Sequence, residues 1–146
     1  MSIEKGLSPA ALAERLELVS RMLHSRGFAH DLFPSQWMAL RYFAGARTDL
    51  CTASELARFQ GLANGSVSRT VRTLVHKGLL AKAAAQPRGR AEILEVTPAG
   101  RSLLAVDPQR DLEALLAGLS DSDRETLGRS LDLMLRRLPT PAAGRG

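Results

Sequence analysis

TASELARFQGLANGSVSRTVRTLVHKGLL, residues 52–80, packs a short helix, a tight turn and a second helix into one run. Thr52 with Glu55 three positions on fits a capping box, so a helix starts there, turns Leu56 inward and stops by Gly61. From Asn64 to Lys77 the spacing predicts another helix. Val67, Val71, Leu74 and Val75 face inward, Arg69, Arg72, Thr73 and His76 face outward, and Gly78 ends it. A second helix with a polar, partly cationic outer face is the kind that enters the major groove of duplex DNA.

Downstream, the helical spacing gives way to two extended runs, Leu79 to Ala83 and Ile93 to Val96, separated by Gln86-Pro87-Arg88-Gly89-Arg90. Proline and glycine at the break predict a hairpin loop carrying two arginines. Thr97-Pro98 opens a fifth helix, expected to break before Pro108, and Ser120 caps a sixth. Upstream, Ser8-Pro9 opens a first helix ending near Gly27. After a linker around Asp31, Pro34 opens a second, with Trp37, Leu40 and Ala44 on its inner face and Gly45 closing it. The fold class predicted is mainly α with a small β-hairpin wing: a winged helix-turn-helix plus terminal dimerisation helices. The expected division is 1–33 for the N-terminal helix and linker, 34–104 for the winged lobe, 105–138 for C-terminal helices and 139–146 for a flexible tail.

The charge supports that centre. The chain of 146 residues carries net charge +5. Residues 52–101 hold eight basic and three acidic side chains, so the whole excess lies there and the flanks balance. A basic centre between neutral flanks suits a phosphate backbone. Composition is that of an ordinary globular domain, with 45% hydrophobic residues, and the N-terminus lacks the apolar core of a signal peptide, so a cytoplasmic location is expected. No phosphate-cradling glycine loop, nucleophile elbow or paired metal-ligand spacing occurs, so neither catalysis nor a cofactor or metal is expected.

Base edges need long hydrogen-bonding side chains, and phosphates need cations. The candidate DNA-binding residues are Thr52, Ser54, Asn64, Gly65, Ser66, Ser68, Arg69 and Arg72 from the two helices, with Arg88 and Arg90 from the loop. The rival reading is a winged-helix dimer that acts only through protein contacts. Exposed arginines in place of apolar anchors speak against it.

Residues 52–80, with GRAEILEVTPAGRSLL over 89–104, resemble the MarR family of transcriptional regulators across Pro34 to Leu104. The resemblance implies that Asn64 to Lys77 is the recognition helix, that Leu79 to Val96 form the wing and that the terminal helices build a homodimer. Members commonly repress a nearby operon and leave DNA when a small phenolic, aromatic-acid or related ligand binds or a cysteine is oxidised. Two-fold symmetry of a dimer then predicts a palindromic operator. Two departures stand out. Family wings usually carry an acid followed by two arginines, whereas Arg88-Gly89-Arg90 lacks the acid and the first arginine. Phe33 stands where a small polar cap is usual before Pro34.

The dimer also follows from the residues. Leu12, Leu16 and Val19 in the first helix, and Leu127, Leu131, Met134 and Leu138 in the last, form apolar stripes that the winged core does not need, so a second copy is expected to cover them. A mixed cluster, His24, Phe28, His30, Phe33, Trp37 and Arg41, could bind an aromatic acid with Arg41 as counter-ion; Trp37 reads equally as core. Two readings stand for Cys51. As the residue before the Thr52 cap its thiol could be activated by the helix end, or it is buried and inert.

Overall fold

The computed structural model of the chain describes residues 8–89 and 91–138. Its helices are α1 (Pro9–Arg26), α2 (Pro34–Gly45), α3 (Ala53–Gln60), α4 (Asn64–His76), α5 (Pro98–Leu104), α6 (Gln109–Ala117) and α7 (Asp121–Arg137). The strands are β1 (Leu80–Lys82) and β2 (Leu94–Val96), and a 3₁₀ turn, Thr48–Leu50, precedes α3. The strands pair antiparallel, with Leu80 opposite Val96 and Lys82 opposite Leu94. The protein is thus mainly helical with a hairpin wing.

Four helix starts are set by side-chain oxygens. The hydroxyls of Ser8, Thr52, Thr97 and Ser120 accept from the amides of Ala11, Glu55, Gly100 and Asp123, each satisfying an amide that the first turn leaves unpaired. The box at Thr52 is half made: the Glu55 carboxylate accepts from Arg58 Nη1 at 2.9 Å instead of reaching back. Gly61 ends α3 with φ of 65° and Gly78 follows α4 with φ of 76°, left-handed turns that a Cβ would strain.

The buried core runs from Leu32, just before α2, to Val96 at the end of β2. Trp37, Leu40, Leu56 and Leu74 are 0% exposed, and Val67, Val71, Leu80, Ile93, Leu94 and Val96 close around them. Two inward assignments are corrected. Phe43 rather than Ala44 continues the inner face of α2: with Gln36, Ala39 and Leu40 it follows the i, i+3, i+4, i+7 spacing of one helix face, and Ala44 is exposed. Val75 is 40% exposed, since Val71 and Leu74 already fill the gap under α4. The predicted break at Pro108 is real, but α6 follows it as a separate helix before the Ser120 cap, giving one helix more than expected.

Helices α1, α6 and α7 bury no residue. Leu12, Leu16, Val19, Leu131, Met134 and Leu138 are exposed and Leu127 is half-buried. So are Leu18 and Met22 on α1 and Leu135 on α7, outside the predicted stripes. A helix apolar on more than one side is suited to a layer covered from both sides.

Candidate nucleic-acid interface

Helix α4 lies against α3 and α2 through Val67, Val71 and Leu74. The opposite face carries Asn64, Gly65, Ser66, Arg69 and Arg72, all exposed, with Ser68 half-buried at its edge. No described side chain forms an ion pair with Arg69 or Arg72. Two cations therefore stand on one exposed helix face beside short hydrogen-bonding groups. Ser54 is exposed at the start of α3, its hydroxyl 3.3 Å from that of Thr52. Thr52 itself is corrected as a surface contact: it is 5% exposed and its oxygen is committed to the cap of α3.

The hairpin loop projects beside α4, and a cleft of about 460 Å³ between them is lined by Ser54, Asn64, Ser68, Arg72, Val75 and Glu92 among others. Arg88 is exposed at the loop; Arg90 lies outside the described residues. Sequence reading missed the residue that holds this loop. Gln86 donates from Nε2 to the carbonyls of Ala83 (2.8 Å) and Ile93 (2.7 Å), and its Oε1 accepts from the Ile93 amide at 2.8 Å. One side chain thus bridges the two arms past the last strand pair. Gln86→Ala should cost about 1–2 kcal/mol. It should also raise hydrogen exchange at the Ile93 amide above that of β2; unchanged exchange there would show that the bridge is not made in solution.

A second concavity, about 270 Å³, lies where α1, α2 and the start of α6 meet, lined by Leu23, His24, Arg26, Pro34, Met38, Arg41, Pro108, Gln109 and Leu112 among others. Of the expected ligand cluster it brings together only His24 and Arg41. Phe28 and Phe33 are exposed and form an edge-to-face chain with His24, at 5.3 Å and 5.7 Å between centroids, outside the cavity. His30 is exposed on a left-handed turn with φ of 53°, and Trp37 is core, its Nε1 donating to the Ala29 carbonyl at 3.2 Å. Arg41 is already paired. Its Nε and Nη2 donate to Asp107 Oδ2 at 2.6 Å and Oδ1 at 2.7 Å. Burial works to raise the Asp107 carboxyl, but hydrogen bonds from Arg41 and from the Gln109 amide outweigh it and hold it below the usual carboxylate value.

Residues 30–91 match the MarR family. The chain resembles that family over this segment. Its fold is that of solved MarR-type structures: Staphylococcus aureus MepR in a DNA complex (TM-score 0.69, 20% identity, 94% of this chain and 100% of that one) is one. Another is the Streptomyces coelicolor regulator PcaV with its natural ligand (TM-score 0.65, 19% identity, 94% and 98%). A third is a probable transcriptional regulator from Pseudomonas aeruginosa (TM-score 0.63, 26% identity, 88% and 97%). No curated protein matches the chain in sequence.

The two departures from the MarR pattern have structural answers. At the start of α2, Gln36 Oε1 accepts from the Phe33 amide at 2.9 Å, so a capping contact survives without a capping hydroxyl at Phe33. Across the wing, Lys82 pairs with Glu92 at 3.1 Å, an exposed pair of small energetic weight. Cys51 is 5% exposed, its Sγ between 3.4 Å and 3.6 Å from the carbonyls of Phe43, Ala46 and Arg47. Burial, with Asp49 nearby, pushes its thiol up. A helix start does not activate a thiol so enclosed. No helix among the described residues is long and apolar enough to cross a membrane.

Proposed function

We propose that the protein is a sequence-specific transcriptional regulator that binds a palindromic DNA operator as a homodimer and is released by a small effector. The observation that carries this reading is the exposed face of α4. Arg69 and Arg72 stand there beside Asn64 and Ser66, opposite the buried Val67, Val71 and Leu74. A helix buried along one stripe and cationic along the other can enter a major groove, where an arginine grips guanine through two parallel hydrogen bonds. The hairpin loop brings Arg88, and by sequence Arg90, toward flanking phosphates or a narrow minor groove.

The MarR fold shared with MepR, which was solved with DNA, supports the same role for α4. The uncovered leucines of α1 and α7 support a dimer, whose two recognition helices would meet half-sites about 34–36 Å apart. Release by an effector draws on the interlobe cavity and on PcaV, which was solved with a natural ligand. Repression follows where such an operator overlaps a promoter.

Operator selection from random duplexes, followed by competition titration, tests this directly. Arg69→Ala should cost about 1–3 kcal/mol on the selected operator and much less on random duplex. Arg90→Ala should weaken both alike and make the salt dependence shallower by about one ion. If both variants bind specific and random DNA like the parent, α4 and the wing do not touch DNA, and a role in protein contacts replaces this one.

A further inference from the structure

A helix in a major groove and a wing at the neighbouring minor groove straddle the sugar-phosphate strand that separates the two. On the DNA-binding reading above, on which this inference rests, the cleft between α4 and the hairpin is where that strand lies. Its chemistry suits one. Val75 and Leu94 give it an apolar floor for deoxyribose, and Ser54, Ser68 and Arg72 give it donors for phosphate oxygens. One lining residue does not suit. Among the described residues around the cleft, Arg72 is the one cation and Glu92 the one acid, so the cleft has no net charge although residues 52–101 carry the whole positive excess of the chain. A carboxylate beside a phosphate strand is repelled by it. Glu92 Oε2 also holds Lys82 Nζ, from β1, at 3.1 Å.

We propose that Glu92 attenuates DNA binding: it sets a carboxylate against the strand seated in the cleft, and it keeps Lys82 in an internal pair that a phosphate would otherwise take. Both side chains of the pair are exposed, Lys82 to 71% and Glu92 to 47%, so the pair is held weakly. Once Glu92 is made neutral, Lys82 is free to turn to a phosphate. Phosphate contacts carry no sequence information, so what Glu92 removes is lost on every duplex alike, and discrimination is left to the exposed face of α4. A weaker hold by phosphates shortens the stay on any one site, which makes a regulator easier to displace. The rival role for the pair is to staple the two arms of the hairpin. The two roles differ in sign, because a lost staple loosens the wing and weakens DNA binding, whereas a lost attenuator strengthens it.

Titrations of the full-length protein with its selected operator and with random duplex, at two salt concentrations, test this. Glu92→Gln keeps the shape of the side chain and removes its charge. It should bind both duplexes about fivefold more tightly than the parent at about 50 mM salt, and the gain should fall below about twofold at about 200 mM, as one added phosphate contact requires. Glu92→Gln combined with Lys82→Gln restores a net charge of zero at the pair and should return to parental affinity at both salts. Melting temperatures should match throughout, since both positions are exposed. Weaker DNA binding by Glu92→Gln, with a lower melting temperature, makes the pair a staple and overturns the attenuation. Unchanged affinity overturns it too, as does a gain that survives in the double variant or one confined to the operator. In each of those cases the DNA-binding reading stands. A parent protein that binds neither operator nor random duplex overturns both.

Discussion

Ending the chain after Leu119, which removes α7, should convert a dimer into a monomer and lower operator affinity by about 10²–10⁴, the advantage that joining two binding units confers. The reason lies in where the apolar surface is. Helix α7 buries nothing within the protomer, while Leu131, Met134, Leu135 and Leu138 are exposed on it, and α1 exposes Leu12, Leu16, Leu18, Val19 and Met22. The proposed homodimer covers that surface with a second copy related by two-fold symmetry. The hydrophobic core draws no residue from α1, α6 or α7, so the winged lobe should outlast the truncation. Trp37, fully enclosed in that lobe, gives the readout: its fluorescence should stay native-like while sedimentation falls to the monomer value. A full-length protein that sediments as a monomer at micromolar concentration would sink the dimer. A truncated one that remains dimeric would assign the interface elsewhere.

What could be read from the sequence was local. Ser8, Thr52, Thr97 and Ser120 announce helix starts because a capping oxygen acts within three residues, and Gly61 and Gly78 announce ends because a left-handed residue is a property of one position. The polar face of α4 was legible for the same reason: its pattern repeats within a few turns. Contacts between distant residues left no such trace. Arg41 reads as an unattached cation available to a ligand, yet its partner Asp107 lies 66 positions away in a junction with no motif of its own. Trp37 belongs equally to an aromatic cluster and to a core until the turn at His30 and Asp31 brings the Ala29 carbonyl to its indole nitrogen. Thr52 shows the limit in the other direction. The capping role was read correctly, and that same role removes it from the exposed face.

Gly100 is the plainest case of a tertiary demand hidden from sequence, and replacing it should have the largest effect on stability of any single change considered. Inside an exposed helix, Gly→Ala stabilises by about 1 kcal/mol, so propensity alone favours Gly100→Ala in α5. Here a Cβ would stand 2.4 Å from the Leu79 carbonyl oxygen and 2.7 Å from Val96 Cγ1. The carbonyl is backbone and cannot rotate aside, and it already accepts the Thr97 amide at 3.1 Å. Either that hydrogen bond opens or α5 lifts from the hairpin, exposing the buried Leu79, Leu80 and Val96. Gly100→Ala should therefore destabilise by about 2 kcal/mol and Gly100→Val by about 4 kcal/mol, at the upper end for overpacking and single substitutions. Gly65, with nothing within 4 Å of its would-be Cβ, provides the opposite sign, and Gly65→Ala should hold or raise the melting temperature. Thermal unfolding of the DNA-free protein decides the matter. Equal melting temperatures for parent and Gly100→Ala would mean that α5 does not pack this closely on the wing.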